Sequence, residues 1–245
     1  MTALPVPADL AHVVAAAWVL DGDVVPRGLP QPAVDLLVMP DGVGRLAGPE
    51  TRRRQGALPT GGPLVGVRLR PGTVTGLFGI GADEVPLAGS PVEIGPLGGS
   101  VTERLAGALA SVRARAGRLR VDDRVRAVLA AMHAAPGVPV ETHAAGVGLS
   151  ERQLRRRFVV AVGLRPKTYA RVVRLHRALA AARAAVARGE RPDWADIAVR
   201  SGCYDQSHLL AEFRHAIGAP PSALLPGVRY FQDRDRSALR HSAHG

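Results

Sequence analysis

Apolar residues follow two rhythms along this chain. Up to about residue 98 they come as short runs broken by Pro and Gly. Residues 12–20 read as a strand or a short buried helix. Residues 34–39 (VDLLVM) form a continuous apolar run that ends at Pro40-Asp41-Gly42, and Asp-Gly between two apolar runs signals a hairpin. Residues 64–69 (LVGVRL) are another strand candidate, and 73–80 a short helix or a turn. From Ser100 the period changes. Apolar positions 101, 105, 108, 109 and 112 predict an amphipathic helix over 101–118. Ser100 or Thr102 suits its N-cap and Gly117 its end. Positions 125, 128, 129 and 132 predict a second helix over 122–134, closed by Pro136, Gly137 and Pro139. Residues 166–187 predict a long helix of roughly 33 Å, with Pro166 in its first turn. The pattern predicts an α+β chain, with a small β-rich N-terminal domain followed by an all-α domain.

Within the helical half one arrangement occurs twice. Ser150, Leu154, Phe158, Gly163 and Pro166 recur 55 residues on as Asp205, Leu209, Phe213, Gly218 and Pro221. The glycines that precede them, Gly148 and Gly202, differ only by one extra turn residue in the second copy. Each copy reads as helix, tight turn, helix. Gly supplies the turn conformation, Ser150 or Asp205 caps the second helix, and the Leu/Phe pair four apart anchors it. In the first copy the opposite face carries Arg152, Arg155 and Arg156. A capped, anchored helix with outward arginines is what a major-groove reader needs.

Charge supports that reading. The net charge is +11, of which residues 121–245 hold +9 and residues 1–120 only +2. A basic half points to a polyanion, and here to nucleic acid. Other function classes find little support. Cys203 is the only cysteine, so there is no intramolecular disulfide and no cysteine-based zinc site. It reads as a packed turn residue rather than a redox sensor. Asp21, Asp23, Asp35 and Asp41 could be imagined as a carboxylate site, but their Gly/Pro setting is that of turns. His12 lacks partners for a metal triad, and no nucleophile elbow or phosphate loop is present. The chain is expected not to be an enzyme and to need no cofactor or metal. MTALPVPADL is not a signal peptide, and no window approaches 18 apolar residues, so a soluble cytoplasmic protein is expected.

Residues 122–226 resemble the C-terminal DNA-binding domain of AraC-type transcription regulators, bacterial proteins that include activators. The strings that carry the resemblance are VGLSERQLRRRFVVAVGLRPKTY and DIAVRSGCYDQSHLLAEFRHAIGAPPSALL. It covers roughly 100 residues and implies seven helices, in two helix-turn-helix subdomains joined by the long helix. It further implies that the two recognition helices enter successive major grooves of double-stranded DNA. Matched by position, Arg152, Arg155 and Arg156 in the first helix and Gln206 and Ser207 in the second are base-facing. Ser150, Lys167, Thr168, Tyr169 and Arg171 are read as backbone contacts, because a helix N-terminus favours phosphate. Arg157, beside Phe158, packs or faces solvent, Arg214 lies on another face, and His208 is a helix-surface residue or hydrogen-bond partner. Trp194, Ile197 and Ala198 read as core. The chain departs from the family at Ala211, where an arginine is usual, and at His143, where a large aliphatic residue is usual. Gly146 weakens that same helix. VDLLVMPDG, AGPET and GVRLRPG resemble a small β-rich domain that precedes such DNA-binding domains in some bacterial regulators.

The expected organisation is a β-rich sensor or dimerisation domain at 1–98, a linker helix at 99–120, the double helix-turn-helix domain at 121–227 and a flexible polar tail at 228–245. Expected partners are DNA, RNA polymerase and a small-molecule effector, with the protein a monomer or homodimer and no membrane partner. The alternative is an architectural DNA-binding protein without sequence preference.

Overall fold

The computed structural model describes residues 2–225 apart from 21, 23, 26–28, 53–57 and 96. Asp21, Asp23 and the 228–245 tail lie outside the described residues. The fold is α+β. Strands β1 (Thr2–Leu4), β2 (Val14–Leu20), β4 (Asp35–Val38), β5 (Gly44–Ala47), β7 (Leu64–Leu69) and β8 (Ser90–Pro91) form one antiparallel sheet in the order β1-β2-β7-β4-β5-β8. Strands β3 (Val24–Val25) and β6 (Leu58–Pro59) pair separately. Of the two readings of residues 12–20, the strand is the observed one.

The predicted hairpin joins β4 to β5. Asp41 Oδ1 accepts the Val43 N–H at 2.9 Å and Gly42 takes φ +81°, a conformation glycine tolerates without a Cβ clash. Asp35 is not a turn residue. It is the first residue of β4, paired opposite Arg68, whose guanidinium donates to both carboxylate oxygens at 2.9 and 2.8 Å. Strand β7 is central and almost wholly buried. Gly66 in it lies under the Trp18 ring of β2, in space that a Cβ would fill.

One face of the sheet packs against α1 (Val74–Phe78) and α2 (Val101–Ala116). The core there joins Leu36, Val65 and Val67 to Leu77, Ala108 and Val112. Ser100 and Glu103 form a capping box that fixes the start of α2. Arg104 of α2 is buried, and its Nη1 donates to the Met39 and Pro63 carbonyls at 2.9 Å each, pinning the helix to the ends of β4 and β7.

The remainder is helical: α3 (Asp123–Ala134), α4 (Val140–Ala145), α5 (Glu151–Val162), α6 (Pro166–Ala187), α7 (Trp194–Arg200) and α8 (Gln206–Ile217). A 3-10 turn at Pro221–Leu224 stands where the resemblance implies a seventh helix. The chain forms two compact units, Met1–Arg174 and Leu175–Gly245, so the division falls inside α6. The first unit holds the sheet together with α1 to α5. Its helical core gathers Val125, Met132, Leu154, Phe158, Tyr169 and Val173. In the second unit Leu175, Leu179, Ile197, Leu209, Phe213 and Ile217 are buried.

Candidate nucleic-acid interface

The two copies of the repeat are built alike down to the backbone. In the first, the turn that follows α4 closes at Gly148 (φ +67°) and the Leu149 N–H donates to the Ala144 carbonyl at 3.0 Å. In the second, α7 ends at Gly202 (φ +87°) and the Cys203 N–H donates to the Ala198 carbonyl at 2.9 Å. This is the glycine-terminated helix end that satisfies otherwise unpaired carbonyls. Cys203 thus holds the place of Leu149, and both are buried. Trp194 is half-buried, whereas Ile197 and Ala198 are core.

Each recognition helix starts on a side-chain cap. The Ser150 hydroxyl accepts the Gln153 N–H at 3.2 Å, while Gln153 Oε1 accepts the Ser150 N–H at 2.9 Å and its O–H at 3.1 Å. Asp205 Oδ1 accepts the His208 N–H at 2.7 Å. Both helices run 12 residues and end at a left-handed glycine, Gly163 (φ +79°) or Gly218 (φ +77°). Leu154, Phe158, Leu209 and Phe213 are fully buried. Burial of each such side chain stabilises by roughly 1.5–3 kcal/mol, which ties the recognition helices to the cores beneath them.

With Leu154 and Phe158 inward, Arg152, Arg155 and Arg156 share the outer face of α5 and are exposed. Among the described residues none of the three has a hydrogen-bond or ion-pair partner, so their guanidiniums are open to an incoming anion. Arg157 differs. It pairs at 2.9 Å with Asp122, the residue that caps α3 by accepting the Arg124 and Val125 N–H groups. Burial raises the Asp122 carboxyl, but Arg157 and those two N–H groups outweigh it and hold the group below its ordinary range.

The second helix presents less. Ser207 is exposed, Gln206 half-buried and Ala211 an exposed methyl. Arg214 is exposed near the helix end. His208 is held by hydrogen bonds. Its Nδ1 accepts the Tyr204 N–H at 3.1 Å and its Nε2 faces Glu212 at 3.3 Å. Glu212 is buried beneath α8, where the Cys203 thiol donates to it at 3.8 Å. Tyr204, in the turn before the cap, is 88% exposed.

Of the residues read as backbone contacts, Ser150 and Lys167 are exposed and Thr168 and Arg171 half-buried. The Lys167 ammonium lies 3.5 Å from Glu141 and 4.0 Å from Glu151. Tyr169 requires correction, because no phosphate can reach its side chain. It is 0% exposed, its hydroxyl bonds His133 Nε2 at 2.7 Å, and its ring stands edge-on to Phe158 at 5.4 Å. Burial also pushes the Tyr169 hydroxyl's pKa up, so it stays neutral. His143 of α4 is buried. Its imidazole bonds the Ala135 carbonyl and leaves Nε2 without a partner.

One feature of the site has no sequence signal at all. The β-rich half grips the last turn of α5. The Val160 carbonyl accepts the Ala82 N–H at 2.7 Å and the Thr75 hydroxyl at 3.3 Å. A Cβ on Gly163 would stand 2.7 Å from the Ala82 oxygen and 3.0 Å from Pro49, so glycine is needed there for space as well as for φ. A helix-end carbonyl that lacks an intrahelical partner is thus satisfied by the other half of the same compact unit.

Among the described residues no His, Cys, Asp and Glu cluster of three or more could hold a metal ion. No helix among them is long and apolar enough to cross a membrane. Residues 143–226 match a family described as a helix-turn-helix domain, and residues 2–86 match a domain of unknown function (DUF6597). No curated protein matches. Two crystal structures of ToxT from Vibrio cholerae are similar at low level. The one with unsaturated fatty acid bound has a TM-score of 0.42 at 9% identity, over 89% of this chain and 96% of that one. The other, at 1.65 Å resolution, has a TM-score of 0.43 at 8% identity, over 85% and 96%. The two capped, glycine-bounded helices α5 and α8 thus lie inside the segment that matches the helix-turn-helix domain, and the DUF6597 match precedes it.

Proposed function

We propose that the protein binds promoter DNA sequence-specifically, with α5 and α8 in successive major grooves, and that its β-rich half places this binding under the control of a signal. It acts in the cytoplasm, where the DNA is. The observation that carries the first part is the trio Arg152, Arg155 and Arg156, exposed and unpartnered on one face of a helix whose other face is anchored. Arginine reads guanine O6 and N7 bidentately, and each good pair gives about 1–3 kcal/mol of discrimination. Not all three need read bases, since half or more of protein–DNA hydrogen bonds go to the backbone. Ser150, Lys167, Thr168 and Arg171 serve the backbone in this reading, and Gln206 and Ser207 the second half-site. The grip of Ala82 and Thr75 on α5 supports the second part, because any shift of the β-rich half is felt by the recognition helix.

Ala211 favours one other reading. Without an arginine there, α8 could hold only the backbone, and the chain would be architectural. Selection of genomic fragments by the purified protein at physiological salt, beside Arg155→Ala, separates the two. Regulation predicts a shared motif with a G-containing half that relaxes in the variant. An architectural role predicts no motif and affinity that falls uniformly as salt rises.

A further inference from the structure

A cleft of about 310 Å³ opens in the first compact unit between the two kinds of structure it contains. One wall is the loop from Arg70 to Thr73, between β7 and α1. The other is α3 with the residues that lead into it. Its depth is apolar, with Pro71, Leu119, Val121, Val125 and Leu129 lining it. The one polar pair there, Tyr169 and His133, is already bonded to itself. Its charged groups are Arg70, Asp122 and Arg126, and His12 also lines it. Asp122 is committed to Arg157 and the α3 cap. Arg126 pairs with Asp123 at 2.8 Å, but both side chains are more than two-thirds exposed, and such a surface pair is weak and easily exchanged. Arg70 donates its Nε to the Ala11 carbonyl at 2.6 Å and has no carboxylate partner among the described residues.

We infer that this cleft binds a small organic acid, with an apolar body of about one ring and a single carboxylate held by Arg70 and Arg126. The volume is at the small end of ligand pockets, which run from roughly 300 to 1,000 Å³. The depth offers no unsatisfied group for a polar body, while the rim has surplus positive charge and a guanidinium fork that matches a carboxylate. Occupancy reaches the DNA-binding face through two lining residues. Asp122 holds Arg157 of α5 at 2.9 Å, and the Tyr169 ring packs on Phe158 of α5. The regulatory half of this inference rests on the DNA-binding reading above, and the binding half does not.

The test is calorimetric titration of the full-length protein with benzoate, phenylacetate and 3-phenylpropanoate, and with the neutral amide of each. Two exposed sites supply the variants, Arg70→Gln at the rim and Ala130→Trp to fill the cleft. At least one acid should bind with Kd below about 1 mM, its amide and Arg70→Gln should each weaken binding tenfold or more, and Ala130→Trp should abolish it. Absence of binding by every acid, equal binding of acid and amide, or indifference to both variants overturns the site. Affinity for the DNA motif should then change fivefold or more with acid present, within the usual range of allosteric coupling. Binding without that change overturns the regulatory half alone. Failure to bind DNA counts against the function proposed above and leaves the titration result standing, since no DNA enters it.

Discussion

Leu154 and Phe158 in α5, and Leu209 and Phe213 in α8, occupy matching places 55 residues apart, and all four are fully buried. The caps, the closing glycines and the turn hydrogen bonds match as well. The outward faces do not. One presents three open guanidiniums, the other a glutamine, a serine and a methyl group. The undersides differ too. Under α5 lie an aromatic pair and the β-rich half, under α8 a buried glutamate with a thiol and an imidazole. The two copies thus share the parts that seat a helix on its core and differ in the parts that face outward. Stability and recognition should therefore respond differently to the same change in the two copies.

The largest effect tests the shared part. Phe158→Ala and Phe213→Ala should each destabilise their unit by about 3–5 kcal/mol, because the cavity left by a buried phenyl ring does not collapse. Denaturant unfolding, followed separately in each unit, measures this. A cost below 1 kcal/mol at one site would mean that the two anchors are not equivalent. The next effect tests the divided part. Arg155→Ala should weaken binding to the selected motif by about 1–3 kcal/mol, and Gln206→Ala by less than half of that. Fluorescence anisotropy over a salt series tells base from phosphate contacts, since loss of a phosphate contact also lowers the salt slope by about one. Equal losses would remove the asymmetry argued here.

How much of this was legible follows from where the signals lie. Ser150, Asp205, Gly163 and Gly218 mark both ends of both recognition helices, because caps and left-handed glycines are local chemistry. Strands β2, β4 and β7 were visible as apolar runs. Strand β5 (GRLA) was not. Four residues with one glycine and one arginine show no alternation, and the strand exists because the Asp41-Gly42 turn folds it back on β4. Tyr169 was misplaced because its position at a helix start suggested phosphate. Tyr169, Val172 and Val173, spaced i, i+3 and i+4, form a buried stripe that could have corrected this. The Asp122–Arg157 pair and the grip on Val160 join residues 35 and 85 or fewer positions apart, and pairings of that kind leave no local trace.

Ala211→Arg sharpens the comparison from the other side. It returns to α8 the kind of group that α5 has in excess, at an exposed position where a long side chain meets no packing obstacle. Affinity for the selected motif should rise by about 1 kcal/mol, with selectivity gained for a guanine in the second half-site if the new group reads a base. Repeating the fragment selection with the variant checks this. An unchanged motif and unchanged affinity would mean that the outer face of α8 does not meet DNA.

The smallest effect concerns the positioning helices, where the turn offset aligns His143 with Ile197, both buried. An isoleucine satisfies that place without hydrogen bonds. The imidazole bonds the Ala135 carbonyl on one side and strands Nε2 on the other. Burial lowers its pKa from the ordinary 6.5, outweighing the Ala135 bond, which raises it. The folded protein thus binds the proton less readily than the unfolded chain does. The penalty is absent above about pH 6.5 and grows as pH falls below it, until the folded-state pKa is passed. His143→Ile should therefore stabilise by about 1 kcal/mol at pH 7.5, since the stranded nitrogen is removed while the Ala135 carbonyl, losing the imidazole, still accepts the Val138 N–H at 3.2 Å. The gain should widen at pH 5.5, and the variant's melting temperature should fall less steeply between these pH values than that of the wild type. A constant gain across that interval would mean that His143 titrates alike in the folded and unfolded chains. The first motif would then carry no acid sensitivity that the second lacks.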